Sequence, residues 1–211
     1  PDKDGLREII VVGTEQTVDE YGTVTFFNGF WTHLETKLTA DGEVEDNYLE
    51  ENFDAGFRDE LMFAVQYDDI DEDGLTDVYI GSSVGVLIWR NAGDDAFTHD
   101  KDLITESWVR AISVDNSDRD NFMEIIAGVG NTLAVFEHNH TLGATKLNFD
   151  RVWNSTELGN YVTDIAIGDT NHNDRLEILA TAVEGYVYSF EWKANASESE
   201  EAAFFLSSLE D

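Results

Sequence analysis

The sequence predicts an all-β chain of β-propeller blades: four four-stranded repeats, with a Ca²⁺-binding loop between the first two strands of each. Three observations predict it. A nine-residue acidic loop recurs from Asp69, Asn116 and Asp169, at intervals of 47 and 53 residues. Short apolar runs rich in β-branched and aromatic residues flank every copy. A repeat of that length has room for four short strands, which is the size of a propeller blade.

The fullest loop is Asp69-Ile70-Asp71-Glu72-Asp73-Gly74-Leu75-Thr76-Asp77, a D-x-D-x-D-G-x-x-D pattern. Acidic side chains at alternate positions converge when the backbone wraps around a point. Carboxylates that close repel unless a hard cation sits among them, and Ca²⁺ takes six to eight oxygens at about 2.3–2.6 Å. Asp69, Asp71, Asp73 and Asp77 are the expected side-chain ligands, and the carbonyl of Leu75 the backbone one. Gly74 stands where a positive φ is needed, which glycine adopts at little steric cost. An EF-hand begins in the same way but requires a bidentate Glu at position twelve and flanking helices. Position twelve here is Ile80, and the flanks Leu61 to Tyr67 and Asp77 to Ser82 are short and β-rich. The expectation is a calcium loop between two strands.

Taken in order, the chain opens with Asp2-Lys3-Asp4-Gly5-Leu6-Arg7-Glu8, which matches loop positions three to nine. Asp2, Asp4, Leu6 and Glu8 are its candidate ligands, with position one missing. Strands are expected from Glu8 to Gly13 and from Thr23 to Phe27. The acidic stretch 33–57 reads as an extended loop or ragged outer strand, and as a solvated insertion rather than a binding loop. Strands Asp77–Ser82 and Val84–Arg90 follow the second loop.

The third copy offers Asn116, Asp118, Asp120, the Phe122 carbonyl and Glu124, with Asn121 at the turn position. Asparagine is among the few residues that tolerate the left-handed region. The fourth offers Asp169, Asn171, Asn173, the Arg175 carbonyl and Glu177, with Asp174 at the turn. Two asparagines lower its ligand charge, so weaker binding is expected there. The repeats run over approximately 1–58, 59–106, 107–158 and 159–211. Phe27, Trp89, Phe136 and Phe190 recur late in a strand of each and read as repeated core.

The C-terminal run ends at Asp211, which has the shape of position one of a further loop. Joined to the first eight residues, it completes the motif. Either the last strand completes the first blade and closes a ring, or the chain is a segment of a larger protein or assembly. Coincidence is the third reading, because acidic residues are common here.

Composition excludes some partners. The 211 residues carry 12 basic and 45 acidic side chains, a net charge of −33. No basic stripe is present to neutralise phosphates, so nucleic acid is excluded, and an anionic membrane surface is disfavoured on the same ground. Such a charge suits a cation-rich or salty setting, where screening relieves self-repulsion. There is no cysteine, so no disulfide forms. No apolar run has the length of a transmembrane helix.

The run Asp69-x-Asp71-x-Asp73-Gly74-x-x-Asp77-Val78-Tyr79-Ile80-Gly81, followed by Val86-Leu87-Ile88-Trp89-Arg90-Asn91, resembles the FG-GAP/VCBS repeat of integrin-α-type β-propellers. The resemblance covers nearly the whole chain as four units, with the first truncated. It implies loops that bind Ca²⁺ at the propeller rim, and an extracellular or cell-surface protein in adhesion, scaffolding or sugar recognition. Members usually have seven or eight blades. The asparagines at 116, 171 and 173 depart from the pattern.

Other features are weaker. His138 and His140 fall on one side of a strand without a third zinc ligand, and read as a surface pair. His172 falls at a non-ligand position. Asn139, Asn154 and Asn195 head glycosylation sequons, which chance alone produces in a chain of this composition. Trp31, Trp153 and Trp192 are candidates for stacking on sugar. Residues 193–203 read as an acidic linker. No nucleophile elbow, phosphate-cradling loop or HExxH is present.

The function expected is non-enzymatic: an extracellular module with a structural or adhesive role, holding up to four structural Ca²⁺ ions. Its partners would be another protein or a glycan at a cell surface, or copies of itself. Two alternatives are a carbohydrate-binding propeller or polysaccharide lyase, and a filament subunit joined head to tail.

Overall fold

The computed structural model describes residues 8–38, 41, 44–52, 60–93, 96–120, 122–139, 147–193 and 203–210. These residues form fifteen β-strands and no helix. The chain is therefore all-β, as its short apolar runs predict.

The strands fold as four antiparallel sheets in chain order. The first contains β1 (Glu8–Val18), β2 (Val24–Leu38) and β3 (Val44–Asn52). The second contains β4 (Met62–Asp68), β5 (Asp77–Ser82), β6 (Gly85–Asn91) and β7 (Phe97–Ile104). The third contains β8 (Val109–Asp115), β9 (Glu124–Val129), β10 (Thr132–His138) and β11 (Phe149–Asn154). The fourth contains β12 (Val162–Gly168), β13 (Glu177–Ala182), β14 (Val187–Lys193) and β15 (Ala203–Glu210). Each sheet is a meander, every strand paired with the next along the chain. In sheets two to four, the nine-residue acidic loop joins the first strand to the second. Its ninth residue (Asp77, Glu124 or Glu177) is the first residue of the second strand.

Successive sheets pack against one another. On β5, Val78 and Ile80 face the first sheet in a cluster with Trp31 and Trp89, while Tyr79 faces the third sheet beside Ile112 and Ile125. On β9, Ile125 and Ala127 turn toward the second sheet and Ile126 toward Ile165 and Ile178 of the fourth. A strand buried on both faces has no solvent side, which is why these segments read as continuous apolar runs rather than alternating ones. Gly81 and Gly128 occupy equivalent places on β5 and β9. A Cβ on Gly81 would lie 2.7 Å from the Val109 carbonyl oxygen, and one on Gly128 would lie 2.7 Å from Val162 Cβ. The missing side chain lets the first strand of the next sheet pass close by.

Several expectations change. The first sheet holds three strands among the described residues, and its hairpin is longer than expected. Residues 33–38 continue β2, and residues 44–52 form β3, the outer strand that is one of the two readings of the acidic stretch. The register sets Leu34 opposite Ile9, where Trp89, Phe136 and Phe190 stand opposite Val78, Ile125 and Ile178. Leu34, not Phe27, is thus the repeat counterpart of those three buried aromatics. β15 pairs with β14, so the last strand belongs to the fourth sheet rather than completing the first. Trp31 is no surface platform: it is fully buried, with ring centroids 5.4 Å from Trp89 and 5.2 Å from Phe97. Trp153 and Trp192 are half-buried against the core shared by sheets three and four. His138 is buried against Phe149, and His140 lies outside the described residues.

Candidate metal centre

The three complete loops share one backbone. Position four has a left-handed φ in each: 58° at Glu72, 61° at Arg119 and 58° at His172. Position six repeats this at Gly74 (93°) and Asp174 (65°), and Asn121 lies outside the described residues. The side chain at position five accepts the N–H of position seven in every copy: Leu75 to Asp73 at 2.9 Å, Phe122 to Asp120 at 2.5 Å, Arg175 to Asn173 at 2.9 Å. Asp69 Oδ2 and Asp169 Oδ2 each accept the N–H of position six, at 3.0 and 2.9 Å. These bonds curl the loop so that positions one, three and five converge in the second copy and positions three, five and nine in the third. The sequence pointed to positive φ at position six; position four was missed, since Glu72 and Arg119 give no signal of it and only His172 belongs to a residue type enriched there.

Among the described residues, two acidic clusters could hold a metal ion. Asp69, Asp71 and Asp73 form one, and Asp118, Asp120 and Glu124 the other; within each, one ligand atom per residue lies within 4.8 Å of the others. All donors are oxygen, the set a hard cation takes.

The third loop leaves acceptors without donors. Glu124 is only 2 % exposed. Its Oε2 accepts the Ser117 N–H at 2.6 Å and the Ser117 hydroxyl at 2.7 Å. Its Oε1 is buried with no hydrogen-bond partner, as is Asn116 Oδ1. Burial pushes the Glu124 carboxyl up to about 8 against the two Ser117 bonds, with Asp118 and Asp120 adding to the rise. Burial also raises Asp118. Glu137 stands directly opposite Glu124 in the β9–β10 register and is raised by burial, then by Asp120, Asp118 and Asp150. Like charges opposite one another destabilise a sheet, and a buried unsatisfied charge costs more than the ~1–3 kcal/mol of a neutral group. A cation here would offset both.

The second loop also leaves acceptors without donors, Asp71 Oδ1 and Asp77 Oδ2, but it carries a cation of its own. Arg90, on β6, sends its guanidinium to Asp71 and to Asp73 Oδ2 at 2.9 Å, with Nε 3.9 Å from Asp77 Oδ2. Asp77 is 1 % exposed and accepts the Asn91 N–H at 2.9 Å. Burial raises its carboxyl to about 7; the Asn91 bond and Arg90 oppose this, and Asp71 and Asp73 add to it.

The fourth loop closes on itself. Glu177 Oε2 accepts the Thr170 N–H and hydroxyl, both at 2.7 Å, repeating the Glu124–Ser117 arrangement. Its Oε1, however, accepts the Asn171 amide at 2.6 Å. Glu191, on β14, accepts the Asn173 amide at 2.5 Å and lies 3.4 Å from Arg175 Nη1. Arg119 of the third loop donates to the Asp174 carbonyl at 2.6 Å, tying these two loops together.

Of the remaining predicted site residues, Glu8 is half-buried at the start of β1, with Oε1 3.4 Å from His33 Nε2. Asp2, Asp4, Leu6, Asp211 and Asn195 lie outside the described residues. Asn139 and Asn154 are exposed. Sequence reasoning missed Arg90, Glu137 and Glu191. The available signal was their shared place, one residue after the repeated aromatic. It also missed an exposed group in which Trp108, 40 % exposed, stacks on Phe63 at 5.5 Å. Arg110 lies 5.0–5.3 Å from the rings of Phe63, Trp108 and Tyr161.

Fold and site together define an all-β chain of packed antiparallel meanders with two acidic loop clusters able to hold a metal ion. In comparison, the sequence matches no protein family and no curated protein.

Proposed function

We propose that the chain is a non-enzymatic, calcium-dependent β-propeller module with an extracellular structural or adhesive role. The observation that carries the reading is Glu124 Oε1, a buried carboxylate oxygen without a donor beside Asp118 and Asp120. A Ca²⁺ ion there would be held by Asp118, Asp120 and Glu124, with Asn116 and the Phe122 carbonyl completing an oxygen shell. The ion supplies positive charge to a turn that otherwise repels itself, so its binding energy becomes folding energy. Four consecutive meanders packed sheet on sheet support a blade-like arrangement. The likeness of the loops to FG-GAP/VCBS repeats supports the extracellular setting.

Thermal unfolding in CaCl₂ and in excess chelator tests the reading. At a ligand concentration of about 100 Kd, binding stabilises by roughly 2.7 kcal/mol. For a chain of this length each kcal/mol moves Tm by about 2–4 °C. A clear fall in Tm on chelation is expected, and equal melting in both solutions overturns the proposal.

A further inference from the structure

The residue that follows the repeated aromatic on the third strand lies across from loop position nine. The register pairs Glu124 with Glu137 and Glu177 with Glu191. Val78 pairs with Trp89, which sets Asp77 and Arg90 as the next facing pair. Directly opposed residues on an antiparallel pair point to the same face and interact. The three loops share a backbone, so they differ in side chains: in this facing residue and in the ligands at positions one, three, five and nine.

From that geometry we infer that the facing residue, together with loop positions three and five, decides what completes each loop: the built-in guanidinium of Arg90 in the second, an external divalent cation beside Glu137 in the third, and the amides of Asn171 and Asn173, donating to Glu177 and Glu191, in the fourth. The inference rests on the calcium reading and extends it. In the second loop Arg90 already bonds Asp71 and Asp73, so Ca²⁺ must displace a resident cation. In the third loop Glu137 adds a fourth carboxylate to Asp118, Asp120 and Glu124, and Glu124 Oε1 has no donor. In the fourth loop Asn171 and Asn173 donate to Glu177 and Glu191, leaving no demand for a metal. Ligand identity within the loop ranks the second loop above the third. The facing residue reverses that order.

Calorimetric titration of the full chain with CaCl₂ at low ionic strength tests this. The wild type should show one tight site. Asp118→Asn, which supplies the amide that Asn171 supplies in the fourth loop, should abolish it. Glu137→Gln should weaken the tight site at least tenfold, and Glu137→Asp, which keeps the charge, should restore most of the loss. Arg90→Gln should tighten the second loop at least tenfold, read most cleanly in the Asp118→Asn background. Far-ultraviolet circular dichroism checks that each variant folds. If the wild type binds CaCl₂ while folded Glu137→Gln and Arg90→Gln variants bind as it does, the inference fails and the calcium reading stands. If neither the wild type nor any variant takes up CaCl₂, both fall.

Discussion

Glu106 and Arg151 isolate what one charged pair does in so acidic a chain. Arg151, on β11, places two nitrogens 2.8 Å from the two carboxylate oxygens of Glu106, in the turn between β7 and β8. Its guanidinium holds the Glu106 carboxyl down to about 2, chiefly through those bonds. Glu106 keeps 60 % of its side chain exposed, so solvent screens the pair and its worth is on the order of 0.2–1 kcal/mol. The folded value lies below the ordinary one, so the stabilisation is complete above about pH 4.5 and is lost as pH falls through about 2. Glu106→Gln, which leaves the Arg151 contacts to Asn154 and Phe136 in place, should therefore lower Tm by a degree or so near pH 7. The gap to wild type should close as the melt is repeated toward pH 2, and a gap that stays constant through that range contradicts this account.

At the scale of the element, the second strand of each of the two middle sheets packs against both neighbouring sheets. β5 and β9 are buried along their whole length, and each carries a glycine where the next sheet's first strand crosses. Gly128→Ala would press a methyl group onto Val162 Cβ and Cγ1, both 2.7 Å away, so one of the two strands must shift. Overpacking of this kind costs about 1–3 kcal/mol. The unfolding free energy should fall by that amount, seen as a lower urea midpoint with an unchanged slope. A midpoint within error of wild type would mean that the packed sheets yield more easily than close packing allows. These strands and the loops before them were legible in the sequence, because both are local patterns. The length of the β1–β2 hairpin was not, since the second half of β1 is solvent-facing and carries no apolar run to mark its extent.

Over the whole molecule, charge is the dominant feature. A net charge of −33 on 211 residues gives a folded chain much self-repulsion to overcome. Raising NaCl from 0.1 to 1 M shortens the Debye length from about 10 Å to about 3 Å. In chelator, where cation binding does not contribute, Tm should rise across that range. A flat or falling Tm would show that repulsion between distant carboxylates is not what limits stability.

By itself the sequence determined the β class, the strand runs flanking the loops and the spacing of the loops. Each of these is a property of residues close together in the chain: period-two or continuous apolar runs, and alternating acids around a turn. Tertiary structure decided the rest. Register set Glu137 across from Glu124 and Arg90 across from Asp77. Packing of the first sheet on the second buried Trp31, which looked free in the sequence. The meeting of β4, β8 and their neighbours brought Phe63, Trp108, Arg110 and Tyr161 together. No pattern of adjacent residues encodes such meetings, because they depend on how distant strands align. Hence the acidic loops could be read directly, while the residues that complete each loop became apparent only in the fold.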